Sequence, residues 1–263
     1  MIAKYLAVGR VTLATQGAYR SEMLLRTLFL ALILYIFVQL WSVTYEALGR
    51  QSVAGFSVAQ MIWYLMVTES ILISRPRMTL EIDGEVRAGD IAYQLIRPYD
   101  YVLFRLARYL AERLLRLLIC LAAGTALALL YVGPVPLGPA GLAAALLVLA
   151  LGMLIDFAGS IAIGLCAFWV EDTQPLTLLY DRAIMLLGGL LLPLELFPGW
   201  LADPLARLPF QLLLYAPARL AVSGDLTPLP GALVQLALTL VAVAGLVRLV
   251  QARALRRLHA NGG

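Results

Sequence analysis

Four carboxylates stand close together in the longest polar stretch of the chain, residues 75–116: Glu81, Asp83, Glu85 and Asp90. An enzyme that modifies membrane lipids would need such a cluster together with a general base or a metal-binding pattern. Here apolar residues and glycine separate the carboxylates, and neither a paired base nor an aspartate-rich motif accompanies them. We therefore keep a lipid-modifying enzyme only as an alternative to the function that the rest of the sequence indicates. A membrane scaffold without transport activity is a second alternative.

The sequence shows no site of its own for nucleotide hydrolysis. A P-loop requires a Gly-rich turn followed by Lys and then Ser or Thr. The only lysine, Lys4, follows no such turn, and the only histidine, His259, has no metal-ligand spacing to its neighbours. We therefore expect neither a cofactor nor a metal on this chain, and any ATP hydrolysis must come from another protein.

Five charged residues fall within or at the ends of long apolar stretches: Glu69, Asp156, Asp181, Arg182 and Glu195. A charge at the centre of a membrane helix costs about 2.5–3.5 kcal/mol on insertion scales, so such residues are functional candidates. We expect Asp181 and Arg182 to neutralise each other near the inner interface. Glu195 belongs to the outer end, where water can reach it.

Asp156 differs from the others because it lies near the middle of an apolar stretch. Its neighbours Gly152, Gly159 and Ser160 are small, and small residues let helices approach closely. The carboxylate should therefore face protein or a wet cavity rather than lipid. Two roles remain open for it, a hydrogen bond within the fold and a contact on a substrate pathway.

The elements that would position these residues are membrane-spanning helices. Of the 263 residues, 62% are hydrophobic and 14% are charged, against roughly 45–50% and about 25% in soluble domains. Apolar stretches of about 18 residues or more recur, and each can cross a hydrocarbon layer about 30 Å thick. We predict an all-α polytopic membrane protein with six spans, near residues 24–45, 57–74, 114–132, 142–168, 176–196 and 233–250.

Basic residues give the orientation, because Lys and Arg are retained on the cytoplasmic side. With six spans and the N-terminus inside, all but three of the 20 basic residues are cytoplasmic, the exceptions being Arg50, Arg207 and Arg219. We predict a multi-pass protein of the bacterial cytoplasmic (inner) membrane with both termini in the cytoplasm. The net charge of +4 then reflects topology and not a nucleic-acid surface.

A short helix is predicted in the middle of residues 75–116. Asp90 can cap a helix that begins at Ile91, and Pro98 disfavours helical geometry at Arg97 and ends it. Its residues are Ile91 and Leu95 on one face and Tyr93, Gln94 and Arg97 around the others. A helix of about two turns is marginal alone, so it needs a docking partner. The alternative is a solvated loop that joins two spans.

A second capped helix follows and runs into the third span. Asp100 is its expected N-cap. Leucines and an alanine line one side of this amphipathic helix, and charged residues occupy the rest. These are Leu103, Leu106, Ala107 and Leu110 on the first side and Arg105, Arg108 and Glu112 on the other.

The N-terminal residues 1–23 carry several charges and are not a span. Ile2, Leu6 and Leu13 nevertheless recur at roughly helical spacing, which predicts a helix lying on the inner membrane surface. An irregular tail is the alternative.

Prolines recur every five to eight residues between Pro193 and Pro217, which is too often for one spanning helix. The residues between them are too apolar for an exposed loop, and the run 209–216 is too short to cross a membrane. We predict short helices that dip partway back into the membrane from outside. Glu195, Phe197 and Phe210 would then lie at the rim or gate of a pathway.

Two stretches resemble the type-2 permease superfamily of ATP-binding cassette exporters. The first is EIDGEVRAGD at residues 81–90 with QLIRP at residues 94–98, which looks like the cytoplasmic loop of that family. The second is LLPLELFP at residues 191–198, followed by LPF at 208–210 and AP at 216–217. It is similar to the family's fifth span and extracellular re-entry, and with the span count the resemblance covers essentially the whole chain.

The resemblance implies a single permease domain, residues 1–263, with an interfacial helix (1–23), a cytoplasmic coupling segment (75–116) and a re-entrant extracellular segment (197–230). Two permeases, the same or different chains, would face each other in the lipid bilayer. Each would dock on an ATP-binding cassette subunit that holds ATP and Mg²⁺. The coupling role falls on Gly89 to Pro98, with residues 81–88 as its acidic approach.

Overall fold

The structure, a computed structural model, describes residues 2–16 and 20–262, which are almost entirely helical. Its α-helices are α1 (Ile2–Gln16), α2 (Arg20–Leu48), α3 (Val58–Ile73), α4 (Met78–Ala88), α5 (Asp90–Ile96), α6 (Tyr101–Val132), α7 (Pro139–Leu165), α8 (Gln174–Leu187), α9 (Gly199–Arg207), α10 (Tyr215–Ser223) and α11 (Leu229–Gly262). Short 3₁₀ turns lie at Cys166–Phe168, Leu194–Leu196 and Pro209–Leu212. The prediction of an all-α protein is confirmed for this part of the chain.

Four segments of the described chain are long and apolar enough to cross a membrane: Ser21–Leu48, Tyr101–Val132, Pro139–Phe168 and Leu229–Ala254. They belong to α2, α6, α7 and α11. The other two predicted spans correspond to α3, with 16 residues, and α8, with 14 residues. Both are shorter than the roughly 20 residues that a straight crossing needs. The count of six spans therefore stays a prediction.

Helix α3 lies at the centre of the fold, packed against α2, α6 and α10. Its start is fixed by a reciprocal capping box, in which the Gln60 N–H donates to Ser57 Oγ at 3.2 Å and the Ser57 N–H donates to Gln60 Oε1 at 3.0 Å. Residues 61–66 are buried on every side of the helix. An apolar helix that is buried all round is a core element, which is what the composition of α3 specifies.

Helix α6 begins at its predicted cap but buries the side that the sequence marks as polar. The Asp100 carboxylate accepts the Leu103 N–H at 2.8 Å, which confirms the N-cap. Arg105 is only 1% exposed, whereas Leu103 is 47% exposed. The inward side is polar because α4 and α7 supply carboxylates that neutralise the arginines, and a paired charge can be buried. On the side predicted to be apolar, Leu103 is exposed, whereas Leu106, Ala107 and Leu110 are half-buried.

Helix α7 supports the rest of the fold and contacts α4, α10 and α11. Its small residues allow close packing beside Asp156, as predicted. A Cβ added to Gly152 would lie 3.0 Å from the Leu212 carbonyl oxygen, and one added to Gly159 would lie 2.5 Å from the Tyr180 hydroxyl. Even an alanine at either position would therefore push a neighbouring segment away.

Helix α1 packs along the N-terminal half of α6. Lys4 Nζ donates to the Pro98 carbonyl oxygen at 3.1 Å, and the Asp100 N–H donates to the Tyr5 hydroxyl at 3.1 Å. The predicted N-terminal helix is thus present over residues 2–16, while residues 17–19 lie outside the described part. Its position on a membrane surface stays a prediction.

The proline-rich segment after α8 is a chain of short helical pieces: Leu194–Leu196, Gly199–Arg207, Pro209–Leu212 and Tyr215–Ser223. The last of these, α10, packs against α3 and α7, and residues 212–214 are buried. The segment is therefore neither one long helix nor a loop free of the protein. Its depth in the membrane stays a prediction.

Candidate functional site

Helices α4 and α5 form a hairpin that follows α3 and turns at Gly89. The Gly89 φ angle is +76°, in the left-handed region, and an added Cβ would meet nothing within 4 Å. Glycine is favoured here by the backbone conformation and not by space. Residues 81–88, interpreted above only as an acidic approach, lie in the helix α4.

Asp90 does not cap α5, so that prediction is wrong. The residue is the first of the helix, and the N-cap position is Gly89, which has no side chain to accept a hydrogen bond. The chain passes from α4 into α5 through one left-handed residue, and this leaves no extended position at which Asp90 could act as a cap. The predicted end is confirmed: α5 stops at Ile96, and Arg97 is extended before Pro98.

The carboxylates of α4 turn toward the protein. Glu81 pairs with Arg105 at 3.4 Å and with Arg108 at 3.2 Å. Glu85 also pairs with Arg105 and accepts the Tyr101 hydroxyl at 3.3 Å. These contacts fasten α4 to the start of α6.

Asp83 fastens the same helix to the start of α8. Its carboxylate pairs with Arg87 at 2.8 Å and accepts the Thr173 N–H at 3.3 Å. Arg87 in turn contacts Asp172 at 3.1 Å. Three of the four clustered carboxylates therefore brace the hairpin, and they are not a free acidic surface.

Helix α5 has an anchored side and a bare side. Ile91 is 1% exposed and packs in a cluster with Met78, Ile82 and Tyr101, so it points inward and offers no contact to another protein. Tyr93, by contrast, is 71% exposed.

The other predicted coupling residues lie around the bare side of the hairpin. Gly89, Asp90, Arg97 and Pro98 are exposed. Gln94 is half-buried and accepts the Tyr99 hydroxyl at 2.5 Å. The side chain of Leu95 lies outside the described part of the structure.

Asp156 lies at the centre of a buried ion-pair network. Arg75 donates from Nη2 to its Oδ1 at 2.8 Å and from Nε to its Oδ2 at 3.0 Å. Arg113 pairs with the same carboxylate, and the hydroxyls of Tyr109 and Tyr180 donate to it at 2.7 and 3.2 Å. One carboxylate thus joins α6, α7, α8 and the α3–α4 connection, and it faces protein as predicted.

Asp181 belongs to the same network, so its predicted neutralisation by Arg182 is wrong. Its carboxylate pairs with Arg75 Nη1 at 2.6 Å. Arg182 is exposed, and its one hydrogen bond among the described residues goes to the Met185 sulfur, at 3.6 Å. Successive residues of a helix point about 100° apart, so the two side chains leave α8 in different directions.

A second ion-pair cluster ties α6 to α2. Arg116 pairs with Glu112 at 2.5 Å and with Glu22 at 3.5 Å. Arg26 pairs with Glu22 at 2.7 Å and also donates to the Ile73 carbonyl at the end of α3. The two clusters and the hairpin contacts all lie at one end of the helix bundle.

Glu195 lies at the other end of the bundle, at the start of the proline-rich segment. It accepts the Tyr215 hydroxyl at 2.7 Å and Arg219 Nε at 2.6 Å, which closes the segment on itself. Arg219 also pairs with Asp225 at 3.4 Å. Hydrogen bonds from the Thr227 hydroxyl and N–H lower the pKa of the exposed Asp225 carboxyl below its usual value.

The two aromatic gate candidates belong to different pieces of the proline-rich segment. Phe197 is half-buried immediately after the 3₁₀ turn that carries Glu195. The Phe210 ring lies 6.4 Å from the ring of Tyr180, whose hydroxyl reaches Asp156. Phe210 thus connects the proline-rich segment to the ion-pair network, and its place at a rim or gate with Glu195 stays a prediction.

The model of a family described as ABC-2 family transporter protein matches residues 29–262. The chain belongs to the ABC-2 transporter family. The resemblance noted from the sequence motifs is thereby confirmed. No curated protein matches the chain.

The match spans most of this ABC-2 transporter, from within α2 to the end of α11. It includes the α4–α5 hairpin, the Asp156 network and the proline-rich segment. Family membership and the apolar helices together make the chain a multi-pass membrane protein and a transporter component.

Sequence reasoning missed the partners of Asp156 in this ABC-2 transporter. In the sequence, Arg75 and Arg113 indicate only the cytoplasmic side. A signal was nevertheless present, because Tyr101, Arg105, Tyr109 and Arg113 recur every fourth residue along α6. Residues four apart share one face of a helix, so alternating Tyr and Arg at this spacing indicate a polar stripe that faces carboxylates.

Proposed function

We propose that this chain is the permease subunit of an ATP-binding cassette exporter, and that it forms a substrate pathway coupled to separate ATP-hydrolysing subunits. Family membership supports the class. The α4–α5 hairpin carries the coupling role, because it is braced from inside by ion pairs while its turn and the outer side of α5 are exposed. A short helix of this kind is stable only with tertiary support, which the ion pairs and Ile91 provide.

Motion of the hairpin would reach the membrane helices through α6. Arg105 links α4 to α6, Arg113 links α6 to Asp156 of α7, and Arg116 links α6 to Glu22 of α2. Withdrawing one partner of a buried ion pair is strongly unfavourable, because the other charge then stays buried without compensation. The hairpin, α6 and α7 are therefore expected to move together when a partner pulls on the hairpin.

In this proposal α2, α3, α6, α7, α8 and α11 are the six spans. Helix α1 lies on the inner surface, residues 197–230 re-enter from outside, and both termini are cytoplasmic in a bacterial inner membrane. Two ATP-binding cassette subunits hold ATP and Mg²⁺, and a second permease, the same or a different chain, completes the pathway. Asp156, Glu195, Phe197 and Phe210 are its pathway or gate candidates.

The test uses two cysteine variants at similarly exposed positions at opposite ends of the bundle. In a background without Cys120 and Cys166, Tyr93→Cys and Trp200→Cys place a thiol at positions that are 71% and 77% exposed. Each variant is purified from its native host after treatment with a thiol-to-amine cross-linker. An ATP-binding subunit should co-purify with both variants and be cross-linked to Tyr93→Cys only.

Two results would overturn the proposal. Absence of any ATP-binding subunit from the purified protein would remove the permease assignment. Cross-linking of that subunit to Trp200→Cys but not to Tyr93→Cys would place the coupling surface at the wrong end.

A further inference from the structure

A narrow apolar slot lies between α2, α3 and α8, and one carboxylate stands in its wall. The slot has a volume of about 240 Å³, and Phe29, Ile33, Met185 and Leu190 are among its lining residues. Glu69 of α3 is the one charged residue among those described that line it, and it is 3% exposed. The remaining walls are aliphatic or aromatic.

The Glu69 carboxylate has no hydrogen-bond or ion-pair partner within the described part of the chain. Its polar neighbours are engaged elsewhere: the Thr68 hydroxyl donates to Leu65 and Leu190 carbonyls at 3.1 Å, and the Ser70 hydroxyl contacts the Met66 sulfur at 3.8 Å.

The other deeply buried charges, Arg105, Arg113 and Asp156, are all paired. A buried unpaired carboxylate opposes folding, so its presence indicates a role outside the stability of the fold.

The slot is accessible from two directions. Phe29, Leu72 and Met185 also line a larger cavity of about 810 Å³ toward the hairpin end, so the slot adjoins that cavity. Phe29 and Ile36 are 53% and 52% exposed at the outer edge of α2, which leaves a lateral opening toward the lipid side. The larger cavity falls in the size range of small-molecule sites, and the slot lies beside it.

The arginines of the larger cavity do not make the slot an anion site. Arg26 is paired with Glu22, and Arg75 is paired with Asp156 and Asp181. Two further arginines of this cavity, Arg77 and Arg182, are exposed.

Inside the slot, the single charge is negative, and it repels an anion more strongly there than in water because the surroundings are apolar. A metal ion stripped of its water is also a poor fit, because Mg²⁺ and Ca²⁺ take six or more oxygen ligands and Glu69 is the one described lining residue with side-chain oxygens.

We propose that this slot binds a lipophilic cation, with the Glu69 carboxylate as its counter-charge and the apolar walls around its hydrophobic body. Resting on the proposed function, the inference makes lipophilic cations the cargo class of the permease. Such a molecule reaches the slot from the membrane through the lateral opening. Glu69 then gains the partner that the fold does not supply.

The test compares two ions of the same shape and opposite charge, tetraphenylphosphonium and tetraphenylborate. Binding of each to the purified chain in nanodiscs is measured by equilibrium dialysis, with empty nanodiscs subtracted. Glu69→Gln keeps the size of the side chain and removes its charge, so it should fold at least as well as the parent. It should weaken phosphonium binding by roughly tenfold to a hundredfold, the effect of one charge pair separated by about 6–10 Å at an effective dielectric constant of about 20.

Two further variants locate the effect. Glu46→Gln removes an exposed carboxylate at the far end of α2 and should leave binding unchanged. Met185→Trp fills the slot and should weaken binding of phosphonium with Glu69 intact. Equal phosphonium binding by the parent and Glu69→Gln would overturn the proposal. It would also be overturned if the chain bound tetraphenylborate more tightly than tetraphenylphosphonium and Glu69→Gln did not change the borate binding.

Failure of the proposed function gives a different result from failure of this inference. Dialysis needs no ATP-binding subunit, so charge-dependent binding without any co-purifying subunit would keep the site and overturn its assignment to transported cargo. An ATP-binding subunit that co-purifies with a chain unable to bind phosphonium would keep the permease and overturn the site.

Discussion

The Asp156 network gives a prediction whose magnitude follows from burial. The side chains of Asp156 and Arg113 are each 2% exposed, and that of Arg75 is 14% exposed. Asp156→Asn keeps the shape of the side chain and removes its negative charge, which leaves the buried Arg113 without its counter-charge. Removing one partner of a buried pair costs about 3–5 kcal/mol, mostly because the other charge stays uncompensated.

A neighbouring residue provides the matched control. Asp181 pairs with the same Arg75 at 2.6 Å, but its side chain is 43% exposed. Exposed ion pairs contribute about 0–1 kcal/mol, so Asp181→Asn should lower the free energy of unfolding several times less than Asp156→Asn.

The assay is unfolding of the purified chain in mixed micelles by dodecyl sulfate, followed by circular dichroism. The double variant Asp156→Asn/Arg113→Gln should lose less stability than the sum of its single changes, because it removes both charges. Equal losses in Asp156→Asn and Asp181→Asn, or additive losses in the double variant, would refute the reasoning.

Three further predictions concern topology and backbone packing. In a background without Cys120 and Cys166, an impermeant thiol reagent added to intact cells should label Gln51→Cys but not Ala88→Cys; labelling of Ala88→Cys alone would invert the orientation. Gly89→Ala should lower the free energy of unfolding by about 1–2 kcal/mol, because the φ angle at this residue is +76°. Gly84→Ala, at an exposed position inside α4, should leave it unchanged or raise it. Equal effects of the two substitutions would contradict the left-handed turn. Gly152→Ala should lower the free energy of unfolding by about 1–3 kcal/mol, because its Cβ would lie 3.0 Å from the Leu212 carbonyl oxygen. Gly245→Ala in α11, where an added Cβ meets nothing within 4 Å, should not lower it. Unchanged stability in both variants would show that the Pro209–Leu212 turn does not pack on α7.

Local signals in the sequence determined much of the helical framework. The apolar composition specified membrane helices, Asp100 specified the start of α6, and Pro98 specified the end of α5. Pro193 to Pro217 divided the late segment into short pieces. The motifs at residues 81–98 and 191–217 led to the family that the comparison confirms. Each of these features depends on the residue itself and on neighbours a few positions away, so it is readable without knowing the fold.

Only the tertiary structure decided which side of α6 is buried and which charges meet. Asp156 is 81 residues from Arg75 and 43 from Arg113, and no local rule connects them. The amphipathic pattern of α6 puts Arg105 among the charged residues opposite the leucines, and Glu81 and Glu85 of α4 make its burial favourable. Hydrophobic periodicity predicts whether a side chain is buried or exposed when it has no oppositely charged partner. Because a buried charge is stabilised by opposite charges from other helices, its position is fixed only when those helices pack together.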